Sequence, residues 1–301
     1  STLPAGNGWS VAFSPNGQYI AVGCNGTPSI NVYPWSASGF GTKYSDPSTL
    51  PAGLATGVAF SPDGANLAVA HTQSPYLSVY SWSSSGFGTK YSNPSSLPPN
   101  SGYGVAFSPD GSDIAVVDPF SSKGITVYPW SSSGFGTKYS DPSTLPSGGS
   151  YGVAFSPDGS DIAVAHGTSP CISVYPWSSS GFGTRYSNPS TSISSYAFGV
   201  AFSPDGTNIA VSHYSSPYIN VYPWSSSGFG TKYSDPHYTT LPYPYGTEVA
   251  FSPDGADIAV SHGDSPYITV WPWSSSGFGT KYSDPSTTPT GLGRHVAFSP
   301  A

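Results

Sequence analysis

The pentapeptide "VAFSP" occurs seven times, beginning at Val11, Val58, Val105, Val153, Val200, Val249 and Val296, at spacings of 47, 47, 48, 47, 49 and 47 residues. A period of this length, held over a whole chain, means that one supersecondary unit is repeated and that its copies must stack to bury a core. The fourth unit, "YGVAFSPDGSDIAVAHGTSPCISVYPWSSSGFGTRYSNPS", stands for the rest.

Four β segments follow from it. The first, Val153 to Ser156, runs into "SPDG", whose Pro157, Asp158 and Gly159 are turn residues. The second, Ile162 to His166, alternates Ile, Val and His with small Ala residues, the pattern of a strand packed on both faces. The third, Ile172 to Tyr175, is β-branched in alternation and is expected to stop at Pro176. The fourth is expected around Gly183 to Ser187, within a polar stretch whose close copies begin at Gly39, Gly86, Gly134, Gly181, Gly228 and Gly277.

Four antiparallel strands per 40 to 50 residues is the blade of a β-propeller. The expected fold is therefore all-β, a six-bladed propeller forming one domain over residues 1–301, with repeats starting near 11, 58, 105, 153, 200 and 249 and a partial seventh at 296–301. Composition agrees: aromatics reach 15%, charged residues only 8%, and Gly 36 with Pro 32 supply many turns.

The run "VAFSPDGxxIAV" resembles the first two strands of WD-repeat propellers. The resemblance departs at the third strand, where Tyr33, Tyr80, Tyr128, Tyr175, Tyr222 and Trp271 stand for the usual Trp and Pro or Ser for the Asp. It therefore implies a WD-like propeller and carries no function with it. Highly similar "FSPDG" repeats also resemble those of bacterial and phage-encoded surface proteins, which implies an extracellular, virion or cell-surface location.

A formal net charge of −7 and eight basic residues leave no cationic track for nucleic acid. No apolar run approaches the roughly 20 residues that cross a bilayer, so membrane insertion is not expected. Cys24 and Cys171 fall in the first and fourth repeats and are not expected to pair.

The seventh "VAFSP" is one first strand too many for six blades. Either Val296, Ala297, Phe298, Ser299 and Pro300 replace Val11, Ala12, Phe13, Ser14 and Pro15 in the first blade, or they lie elsewhere. An unpaired strand seeks an edge, and every other copy of the chain offers one. The expected function is thus structural: a subunit that polymerises with itself through its terminal strands into a filament or appendage.

Other residues invite chemistry. Cys24, His71, Asp118, His166, His213 and His262 share the end of the second strand; metal ligation there competes with hydrogen bonding inside each blade, to the third-strand Tyr or the following loop. The turn residues Asp63, Asp110, Asp158, Asp205 and Asp254, and Asp113, Asp161 and Asp257 beyond them, lack the carboxylate spacing of a calcium loop. Neither nucleophile motif nor phosphate loop is present, and Glu248 is the only glutamate, so no enzyme and no cofactor are expected. Trp35, Trp82, Trp130, Trp177, Trp224 and Trp273, each followed by a Phe between glycines, are candidate platforms for glycans, which makes a multivalent lectin-like propeller the alternative. The same rings serve equally to pack the core.

Overall fold

A computed structural model describes residues 2–236 and 245–300. It contains six four-stranded antiparallel sheets, each with its strands in chain order, the blades of an all-β six-bladed propeller. The described chain separates into two compact units, residues 1–141 with 299–301, and residues 142–298. Each unit holds three of the sheets.

The fourth sheet shows how the repeat folds. Its strands are Ser150–Phe155, Asp161–His166, Ile172–Ser178 and Gly181–Phe182. Val153 pairs with Val164, and Ala163 with Val174, so both faces of the central strands are apolar. All six residues of Asp161–His166 are buried. In the turn, the Ser156 hydroxyl donates to Asp158 Oδ1 (2.6 Å) and accepts from the Asp161 N–H (2.9 Å), and the Ser160 N–H donates to the same carboxylate (3.0 Å). These bonds hold the Asp158 carboxyl below its ordinary pKa. The "SPDG" aspartates are thus engaged as turn residues.

Two expected boundaries move. The third strand passes through Pro176 and ends at Ser178, because Pro176 pairs with Asp161 across the ladder and its carbonyl is still free to accept the Gly183 N–H (2.8 Å). The fourth strand is the two residues Gly181–Phe182, not Gly183–Ser187. Proline has no N–H to offer the outer strand, so the regular ladder ends there. The second sheet confirms the cause: Ser81 takes the proline position, and the outer strand extends over Gly86–Lys90.

The chain beyond still runs along the third strand, with the Tyr186 N–H donating to the Val174 carbonyl (2.9 Å). Gly183 must be glycine for that approach, since a Cβ would lie 2.9 Å from the Pro176 ring. Further on, the Tyr80, Tyr128, Tyr175 and Tyr222 hydroxyls donate to the carbonyls of Thr49, Ser96, Thr144 and Thr191 at 2.6 to 2.8 Å. The polar outer stretch therefore has fixed partners along its length. Its basic residues are tied down as well: Lys43, Lys138, Lys232 and Lys281 each pair with the Asp three residues ahead.

Candidate functional site

In the second, fourth and sixth sheets the imidazole at the end of the second strand bonds within its own sheet, whereas both ring nitrogens of His213 in the fifth are buried without a partner. His71 Nε2 lies 3.0 Å from Ser78 Oγ, His166 Nε2 3.0 Å from Ser173 Oγ, and His262 Nε2 2.9 Å from Thr269 Oγ1. The partner is the third-strand hydroxyl, not the expected Tyr, which is turned toward the crossing segment instead. The expected bond to the following loop is made by His71, whose Nδ1 lies 2.8 Å from the Gln73 carbonyl. Asp118 accepts the Phe120 and Ser121 N–H groups and the Ser121 hydroxyl (3.2, 2.6 and 2.7 Å), and the Asn31 amide donates to Cys24 Sγ (3.4 Å). Burial keeps His71, His166 and His213 uncharged, with pKa values pushed down to about 4. No group of three or more His, Cys, Asp or Glu capable of holding a metal occurs among the described residues. Cys24 and Cys171 are both buried and free.

The six indoles are packed more than displayed. Trp82, Trp130, Trp177, Trp224 and Trp273 are 5 to 7% exposed, and Trp35 alone is part-exposed. Each stands edge-on to the Phe of its own outer strand at 4.9 to 5.0 Å. The Tyr of the preceding sheet's outer stretch adds a second edge-on contact: Tyr44 to Trp82, Tyr91 to Trp130, Tyr186 to Trp224 and Tyr233 to Trp273, at 4.9 to 5.1 Å. A cleft of about 430 Å³ opens beside two of these indoles, Trp82 and Trp130, where Ser61, Asp63, Asn66 and Tyr91 supply polar atoms.

A three-residue junction was not legible as a site in the sequence. Asp161 Oδ1 accepts the Tyr186 hydroxyl (3.0 Å) and Oδ2 accepts Trp224 Nε1 of the next sheet (3.0 Å). The available signal was an Asp opening the second strand, with a Tyr 25 residues on and a Trp 63 residues on. The repeat period shifts that Trp into the following unit.

The terminal segments are placed as follows. Residues 8–13 form the first strand of the first sheet and pair with Tyr19–Cys24, with Val11 opposite Val22. Replacement of residues 11–15 by the terminal copy is therefore excluded: the native strand is in its own ladder. Residues 295–300 carry the strand sequence yet form no strand, and Ala301 lies outside the described residues. In the second unit, Gly293 accepts from Thr247 Oγ1 (2.5 Å) and donates to the His262 carbonyl (3.0 Å). Gly102 makes the same two bonds, with Thr56 and His71, ahead of the third sheet. His295 Nε2 stands 3.6 Å from Glu248 Oε2. In the first unit, a Cβ on Gly17 would lie 3.3 Å from the Pro300 carbonyl, much as one on Gly64 would lie 3.6 Å from Pro15. As far as residue 300, the terminal copy thus makes contacts like those of a further first strand.

Comparison with known proteins agrees with this architecture. The family model "WD domain, G-beta repeat" matches residues 5–30, which span the first two strands of the first sheet. No curated protein matches the sequence. Among solved structures, Kuenenia stuttgartiensis hydrazine synthase is similar with a TM-score of 0.73 at 16% identity, covering 100% of this chain and 92% of that one. The Myceliophteria thermophila Cps50 (Swd1) β-propeller domain is similar with a TM-score of 0.68 at 13% identity, covering 96% and 90%. At such identities the likeness is one of fold.

Proposed function

We propose that this chain is a structural, non-catalytic repeat protein that polymerises with itself, as a subunit of an extracellular filament or a virion or cell-surface appendage. The carrying observation is the terminal copy: residues 295–300 have the sequence of a first strand and pair with no strand among the described residues. An unpaired strand presents N–H and C=O groups to whatever edge it meets. Donation of Val296 to Pro300 to another copy would satisfy them at little cost, because the acceptor repeats have the same sequence. The low charge, with 8% of residues ionisable as Asp, Glu, Lys or Arg, opposes such contact only weakly.

Electron microscopy of concentrated protein, paired with amide exchange, tests the reading. Filaments are expected, and the amides of residues 296–299 should exchange fast in dilute monomers and slowly in the assembled form. Discrete monomers at every concentration would overturn it. The lectin-like alternative draws on the cleft beside Trp82 and Trp130, and saturable sugar binding by those monomers would favour it.

A further inference from the structure

The repeats are near-copies except at one end of each sheet. "WSSSGFGT" stands unchanged at Trp82, Trp130, Trp177, Trp224 and Trp273, and "SPDG" at Ser61, Ser108, Ser156, Ser203 and Ser252. Where the first strand begins and the second ends, the letters diverge. The residue four places before each "VAFSP" is Asn7, Leu54, Ser101, Gly149, Tyr196 or Tyr245, and the residue after the second strand is as varied. The backbone sets these two positions side by side: the Gly167 N–H donates to the Gly149 carbonyl (2.8 Å) and the Tyr214 N–H to the Tyr196 carbonyl (2.9 Å). Variation gathered at one end of otherwise uniform repeats marks the end at which single repeats act differently, which in stacked repeats is a binding face.

Within residues 142–298 this end is aromatic. Ring contacts run from Tyr196 to Tyr151 (6.5 Å), on to Phe198 (5.3 Å), to Tyr245 (6.2 Å) and to Tyr214 (5.5 Å), the last pair stacked at 19°. The two outermost rings are open, Tyr196 at 53% and Tyr214 at 56% exposed, and the three between are part-exposed. Glycines seat them: a Cβ on Gly167 would lie 2.9 Å from Tyr196 Cδ1 and Cε1, and one on Gly263 would lie 2.9 Å from Tyr245 Cε1. Tyrosine rings held in this way offer a rigid contact surface at low entropic cost. Residues 167–172, 191–199 and 214–219 include no charged residue, and Ser194, Ser195, Ser215 and Ser216 flank the two open tyrosines in sequence.

We propose that this end of the fourth, fifth and sixth sheets binds a neutral glycan, with Tyr196 and Tyr214 as two ring platforms and Tyr151, Phe198 and Tyr245 as the floor that links them. The C–H face of a sugar is apolar and slightly positive, which suits the negative face of an aromatic ring. Its hydroxyl rim suits tyrosine and serine hydroxyls, and an uncharged surface favours an uncharged ligand. Five rings in succession fit an oligosaccharide better than a single sugar. The inference goes beyond the self-assembly reading and does not rest on it. It also differs from the cleft beside Trp82 and Trp130, whose indoles, 5 and 7% exposed, have little ring surface to give a sugar.

Calorimetric titration of the dilute full chain with cellohexaose, mannohexaose and maltohexaose tests it, with decaproline as control because aromatic grooves also take proline-rich segments. At least one hexaose should bind saturably, and decaproline should not. Tyr196→Ala and Tyr214→Ala should each weaken that binding roughly tenfold, as for the loss of one stacking contact. Tyr214→Phe keeps the ring and should weaken it roughly threefold, as for one hydrogen bond. Both positions are exposed, so the variants should fold, which the melting temperature checks. Sugar binding that neither alanine variant changes would put the site elsewhere, the tryptophan cleft included, and would overturn the proposal. Binding of decaproline alone, or of no probe, would overturn it as well. Sedimentation of the same samples reads self-assembly separately, so either reading can fail alone.

Discussion

The third and fourth sheets fill the same structural position with different chemistry. In the fourth, His166 is fully buried and bonds across to Ser173 on the next strand. In the third, Asp118 is 2% exposed and bonds forward into its own loop, to the Phe120 and Ser121 N–H groups and the Ser121 hydroxyl. The loop differs to match: six residues lie between Asp118 and Ile125, five between His166 and Ile172, and this one residue makes the single 48-residue repeat between Val105 and Val153. In these two sheets the strand end is tied down either by an imidazole aimed across the ladder or by a carboxylate capping a longer loop. What it does not require is one element shared by all six repeats, which is why Cys24 stands there too.

The largest expected effect separates the two chemistries by pH. Burial holds His71, His166 and His213 uncharged, with pKa values near 4 in place of about 6.5. The unfolded chain therefore takes up protons on these residues at a higher pH than the folded chain does. Their contribution is intact above pH 6.5 and is lost as pH falls toward 4, by up to about 3 kcal/mol per residue. Amide exchange at pH 4.5 against pH 7.5 should show the second, fourth and fifth sheets losing protection, and the third sheet losing less. A uniform loss across all sheets would mean that acid acts elsewhere than on these imidazoles.

His166→Ala sharpens the same contrast. At pH 7.5 it leaves the Ser173 hydroxyl without its imidazole partner and opens a small cavity, for a cost of about 2 kcal/mol in chemical denaturation. At pH 4.5 the cost should shrink to under about 1 kcal/mol, because wild type then bears the protonation penalty that the variant has lost. Equal costs at the two pH values would show that the ring acts by volume alone.

Much of this architecture was legible in advance, for a physical reason. Strand position in a repeat protein is fixed by period and by apolar alternation, and both are written locally: Ile162, Val164 and His166 alternate with Ala163 and Ala165 whatever surrounds them. The extent of the outer strand is not legible in its own residues, because it depends on a donor in the strand beside it, absent at Pro176 and present at Ser81. The Asp161, Tyr186 and Trp224 junction is not legible in any one repeat, because its members come from two of them and only the packing of adjacent sheets brings them together. The third-strand Tyr was expected to hold the His, but the strand alternates: Ser173 and Tyr175 share a face, and the shorter side chain lies beside the imidazole while the longer reaches Thr144.

The smallest effect tests whether the loops, and not only the anchoring side chains, differ in kind. Just before the third strand of each of these sheets the backbone turns left-handed, at Gly124 in the third sheet (φ 69°) and at Cys171 in the fourth (φ 65°). Glycine adopts that conformation freely, while a residue with a Cβ is strained by about 1 kcal/mol. Gly124→Ala should therefore destabilise the protein by about 1 kcal/mol, read as a lowered denaturation midpoint at an unchanged slope. Cys171→Gly relieves the equivalent strain but removes a fully buried side chain, so its net effect should lie near zero. Should Gly124→Ala prove neutral, the longer Asp118 loop relaxes where the shorter His166 loop is held, and the extra residue provides slack as well as a cap.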